Sequence, residues 1–157
     1  MFGGGSLDVG GSGGGSCAIP QFEGIVTSHD VSNKGQLPLT LTSVRLFEPQ
    51  GVRLLESSVI PGHSGIGVMN FPMDKDFVKE SGWDHRKPVK GYVLDAGAKV
   101  EIELAAGLEP GQRKGSYSEY VVDYVDAFGF PRSAHAGDQL LYLQSSGDCP
   151  EDTDDWE

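Results

Sequence analysis

The sequence predicts an all-β fold: an immunoglobulin-like antiparallel β-sandwich of about seven strands, with one long loop carrying a short helix. Three observations carry this expectation. Apolar residues recur with period two through most of the chain. Turn-forming residues interrupt those runs at the spacing of a sandwich. Helical periodicity is nearly absent outside one segment.

The strands follow in order. Phe22 to Ser28 is the first candidate. Leu37 to Phe47 is longer and changes phase: Leu39 and Leu41 share one parity, Val44 and Leu46 the other, which predicts a bulge near Thr42-Ser43. Val52 to Val59 comes next. Lys99 to Leu104 alternates without a break, placing Glu101 and Glu103 outward on a solvated face. Ser118 to Val125 sets Tyr120, Val122 and Tyr124 against Glu119 and Asp123. Gln139 to Gln144 contains Leu140-Leu141-Tyr142-Leu143, apolar on both parities and suited to a strand covered on both faces. Asn33-Lys34-Gly35, Pro49-Gln50-Gly51, Pro61-Gly62, Asp95-Ala96-Gly97, Pro110-Gly111 and Asp126-Ala127-Phe128-Gly129 supply the turns. Residues 61–90 lack clean alternation. Within them Asp74 to Ser81 fits one or two helical turns, with Asp74 as N-cap and Gly82 as the stop.

The two ends differ from the middle. Residues 1–16 hold 8 of the 23 glycines and read as a flexible tether, one expected to have joined the domain to an upstream export signal or anchor. Residues 150–157 form an acidic tail that also contains Trp156. Between them, residues 17–149 form the sandwich domain. Cys17 and Cys149 bracket it, and border cysteines suit a disulfide between adjacent terminal strands in an oxidising compartment.

The 157 residues carry a formal charge of −11, which argues against nucleic acid or anionic lipid as a partner held by charge. Asp148 and the five acids after it account for six of the 23 acidic residues, so the remainder stands at −5. Arg86, Lys87 and Lys90 make a local basic patch within it.

Motifs for chemistry are absent. Gly62-His63-Ser64-Gly65-Ile66-Gly67 lacks the Lys-Ser/Thr pair of a phosphate loop, and Ile66 replaces the second glycine that a nucleophile elbow requires. No nucleophile and base stand at a recognisable spacing, so no enzyme activity and no catalytic residue is expected. Asp152-Thr153-Asp154-Asp155 lacks the glycine and twelfth-position glutamate of a calcium loop. One metal alternative stands: His63, Met69, Met73 and His85 offer imidazole and thioether ligands, a soft set suited to Cu(I) in a copper-binding or copper-delivery domain. In the alternative packing role, the methionines fill core gaps. The long loop also concentrates Phe71, Phe77 and Trp83 beside Arg86 and Lys87, the residue types favoured at protein–protein hot spots.

The opening strand Leu37-Pro38-Leu39-Thr40-Leu41-Thr42-Ser43-Val44, the following Gly51-Val52-Arg53-Leu54-Leu55, Trp83 in the mid-chain loop, the Tyr124 to Gly129 strand-turn and the terminal Cys149 resemble small extracytoplasmic immunoglobulin-like domains of actinobacterial envelope proteins. The resemblance spans residues 36–142 together with Cys149. It implies an exported domain, often tethered to the membrane through an N-terminal anchor, and supplies no catalytic residues. The expected role is a non-enzymatic, cofactor-free interaction or accessory module for another protein, with loop 61–90 as contact surface. Copper binding, or a structural place in a larger envelope assembly, are the alternatives.

Overall fold

A computed structural model describes residues 5–10, 15–20, 23–62, 66–136, 140–146 and 149. Thirteen strands appear among them: β1 (Leu7–Asp8), β2 (Gly15–Ala18), β3 (Gly24–Asn33), β4 (Leu39–Phe47), β5 (Val52–Pro61), β6 (Val68–Phe71), β7 (Lys87–Pro88), β8 (Val93–Leu94), β9 (Lys99–Leu108), β10 (Lys114–Tyr117), β11 (Glu119–Val125), β12 (Pro131–Ala136) and β13 (Leu140–Gln144). Seven of these have five or more residues, and they are the frame of an immunoglobulin-like sandwich; the other six are short edge pieces.

One sheet runs β1-β3-β9-β5-β7, with β6 on the same edge of β3 as β1; the facing sheet runs β12-β11-β4-β8. Their inner faces meet in the main core. Val31, Val59, Val100, Ile102 and Leu104 come from the first sheet, and Leu41, Val44, Tyr120, Val122 and Tyr124 from the second. The phase change in β4 is a bulge, because Ser43 pairs with Asp123 and Leu41 with Tyr124, leaving Thr42 over.

A third, small sheet runs β10-β13-β2, and its β13–β2 pair is parallel, so the fold departs from a purely antiparallel pattern there. Leu141 and Leu143 of β13 pack on Ile25, Val52 and Ala106, extending the core at one end. Cys17 sits on β2 opposite Tyr142 and is bonded to Cys149, with Cα atoms 5.9 Å apart. Closing a loop of that length restricts the unfolded chain by about 5 kcal/mol.

Two expectations need correction. Residues 1–16 are not wholly a tether: Leu7 and Val9 are buried in the main core, and Leu7–Asp8 pair with Ser32–Asn33. Tyr120 Oη donates to the Val9 carbonyl at 3.1 Å and Lys34 N–H to the Ser6 carbonyl at 2.7 Å. Surrounding glycines mask a two-residue alternation that is enough to dock a strand. Glu101 and Glu103 do not lie on a solvated face either, being 3% and 1% exposed. The outer face of β9 is flanked by β3 and β5, Ile66, Met73 and Trp83 pack on it at Ala105, and Glu103 accepts a hydrogen bond from Ser28 Oγ. The acidic tail 150–157, with Trp156, lies outside the described residues.

Candidate functional site

The roof over that outer face is the most elaborated part of the surface. After β6 the chain enters helix α1 (Lys75–Ser81), whose first turn is capped by Asp74 Oδ1 accepting from Asp76 N–H at 2.8 Å. It stops at Gly82, whose φ of 81° lies in the left-handed region that glycine adopts freely. A 3-10 turn, Trp83–His85, follows directly. These local signals fix where the helix begins and ends. Its register then drives Val78 and Phe77 toward a cluster of Val26, Ile60, Ile66, Met73, Trp83 and Ala105.

Between α1 and the 3-10 turn lies an open groove of about 540 Å³. Phe71, Met73, Val78 and Trp83 form its apolar surface, and Lys75, Lys79, Asp84 and Arg86 its charged rim. The Phe71 and Trp83 rings meet edge to face, centroids 6.3 Å apart. Trp83 N–H donates to Ser81 Oγ at 3.3 Å, which orients the start of the turn from beneath.

Arg86 holds the indole from the other side. Its guanidinium carbon stands 4.2 Å from the Trp83 ring centroid. Nε and Nη2 donate to the two carboxylate oxygens of Glu56 on β5 at 2.9 and 3.2 Å, and Nη1 donates to the Trp83 carbonyl at 3.0 Å. A planar fork engaged at all three of its nitrogens is pre-organised rather than mobile. Trp83, 6% exposed, therefore presents only a small, fixed part of its surface to the groove.

Helix α1 separates its charges. Lys75 and Lys79 stand one turn apart, at the i, i+4 spacing of a single face, and line the groove; Asp76 and Glu80 stand one position further round and are not among its described lining residues. In a chain of net −11 the rim thus carries Lys75 and Lys79 against Asp84, with Arg86 already paired to Glu56.

Of the residues singled out in the sequence, Phe71, Met73, Trp83 and Arg86 come together here. Phe77 packs half-buried against the cluster below, and Lys87 lies exposed on β7, paired with Val59. Lys90 is exposed as well. The set His63, Met69, Met73 and His85 divides. Met73 is buried and Met69 half-buried in the apolar cluster, with Met73 Sδ 3.8 Å from Ser81 Oγ. His85 is exposed on the 3-10 turn, and His63 lies outside the described residues. Lys75, Val78, Lys79 and Glu56 were not among the candidates. The first three were within reach, since a capped helix with Lys at i and i+4 and Val at i+3 puts all three on one face.

No family model matches the sequence, and no curated protein matches it as a relative. Among solved structures, the chain is similar to the VesB protease of Vibrio cholerae at 15% identity and a TM-score of 0.41, covering 88% of this chain and 32% of that one. It is similar to an ASH/PapD-like domain of human CEP192 at 8% identity and a TM-score of 0.43, covering 91% and 87% respectively. The secreted serine protease VesC of V. cholerae matches at 12% identity and a TM-score of 0.36, over 88% of this chain and 23% of that one. The chain thus spans about a third of VesB or less of VesC, and likenesses this loose carry neither activity nor partner to it.

Proposed function

We propose that the chain is a non-enzymatic interaction domain working outside the cytoplasm, and that its α1–Trp83 groove receives an acidic peptide segment bearing one large apolar side chain. The separation of charge on α1 carries this reading. Lys75 and Lys79 face a wall made by Trp83 and Phe71, in a protein that is otherwise strongly acidic. Rim cations select and steer an acidic segment, while the aromatic wall supplies the desolvated contact that gives affinity. The Cys17–Cys149 bond supports an oxidising compartment. The resemblance to exported envelope domains points the same way.

The test is a titration of the isotope-labelled chain ending at Cys149 with the synthetic peptide Pro-Glu-Asp-Thr-Asp-Asp-Trp-Glu, the sequence of residues 150–157, followed through the Trp83 indole and Met73 methyl signals. Binding should shift both and weaken with salt. The K75E/K79E variant should bind about ten-fold or more weakly, and a peptide with lysines for the acids should not bind. Signals that stay still for the acidic peptide would reject the assignment of this groove.

A further inference from the structure

A second surface, at one end of the four-stranded sheet, is apolar where a soluble domain would be polar. Five large apolar residues are exposed among the described residues, and four lie here: Phe128 at 75%, Phe130 at 61%, Val93 at 54% and Leu37 at 49%. Leu37 lies two residues before β4, Val93 stands on β8 opposite Thr40, and the two phenylalanines occupy the β11–β12 turn. Gathered apolar exposure of this kind marks a contact site, whereas scattered single residues do not.

The turn that carries the phenylalanines is fixed. Asp126 Oδ1 accepts from the N–H groups of Phe128 and Phe130 at 2.9 and 3.0 Å, and Arg132 Nε donates to Asp126 Oδ2 at 2.9 Å. Asp126 N–H also donates to the Phe130 carbonyl at 3.0 Å. The rings are therefore held out at little further cost in conformational entropy. Beside them opens a groove of about 560 Å³ walled by Leu37, Pro38, Tyr124 and Phe128. Gly5 lies so close to the Tyr124 hydroxyl that a Cβ would not fit there, which leaves this part of the wall without a side chain.

We infer that this end is a self-association face, on which two copies meet about a two-fold axis and Phe130 of each enters the groove of the other. Knob and hole stand side by side on one end of the same molecule, the arrangement that an isologous interface requires. Charge selects the same occupant. A chain of −11 repels its own copies over most of its surface. Here the charged residues among the described lining are Asp126 and Arg132, already paired, so this end adds no like charge of its own against a second copy and offers no unpaired cation to anionic lipid or to an acidic peptide. The face is independent of the α1–Trp83 groove and its proposed ligand.

Sedimentation equilibrium on the full, disulfide-bonded chain tests this. The wild type should show a reversible monomer–dimer equilibrium below about 1 mM, and F130S should raise the dimer Kd about thirty-fold or more. Because both rings are exposed, F128S/F130S should melt at the wild-type temperature, which separates lost association from lost folding. A wild type that stays monomeric to about 1 mM overturns the proposal. So does a dimer that F128S/F130S leaves intact. Flotation of the wild type with phosphatidylcholine vesicles, abolished in F128S/F130S, would also overturn it and assign the face to a lipid surface.

Discussion

Removing the guanidinium that clasps Trp83 should cost more than a surface charge normally does. Arg86→Ala deletes three things at once: a two-pronged bond to Glu56, a hydrogen bond to the Trp83 carbonyl, and the stacking of a cation on the indole. The Arg86 and Glu56 side chains are 31% and 35% exposed, so solvent screens the ion pair and about 1 kcal/mol is a fair share for it. The carbonyl bond contributes about 1 kcal/mol and the cation–π contact about 0.5–1 kcal/mol. Together the loss should be about 2–3 kcal/mol, read in urea as a lower midpoint at unchanged slope. A melting temperature lower by about 4–10 °C should accompany it. Arg86→Lys keeps the charge but not the fork, and should lose most of the same stability. A double-mutant cycle with Glu56→Ala isolates the pair and should return a coupling of about 1 kcal/mol. A loss below about 0.5 kcal/mol for Arg86→Ala, or strictly additive effects in the cycle, would refute the view that Arg86 sets the groove wall.

Two further outcomes follow from the fold. Leu7→Ala should destabilise the protein by about 2 kcal/mol in urea unfolding, because it opens a gap in the main core; a residue in a free tether would show no change. Asp126 is held below the usual carboxylate range by its bond to Arg132 and by the N–H groups of Phe130 and Phe128. Its contribution is therefore present in full above its ordinary value of 3.8 and is lost as pH falls through the lower folded value. In amide spectra recorded as pH is lowered below about 4, Phe128 and Phe130 should move together. Asp126→Asn should remove that step, and an unchanged step would show that another group causes it.

Much of the frame is legible in the sequence because strands report their period locally. The Thr42 bulge shows as a change of parity between Leu41 and Val44, and α1 shows through Asp74 and Gly82, each acting on its own backbone neighbours. What is not legible depends on a third layer. Glu101 and Glu103 alternate with valine, isoleucine and leucine as any half-buried strand would. They are buried on a face that β3 and β5 flank and that Ile66, Met73 and Trp83 cover at Ala105, and a two-residue period holds no record of such a layer. The parallel pairing of β2 with β13 depends on contact between the two extremes of the domain, which no window of sequence spans. At the candidate site, Phe71, Trp83 and Arg86 stand out by residue type. Glu56 does not, because its role comes from lying beneath Arg86 across thirty residues of chain.

The Cys17–Cys149 bond has a mechanical meaning. Tension applied to the chain on either side of the two cysteines would run from β2 directly through the sulfur bridge, and residues 18–148 would carry almost none of it. Apart from β1, both large sheets sit inside that shunted loop, so their remaining hydrogen bonds would be spared while the bridge is oxidised. β1 lies outside it and would be the packed strand left under load. Stretching the oxidised protein should then peel Leu7 and Val9 from the core while the rest of the sandwich stays closed, and reduction would place the whole domain in the path of the force.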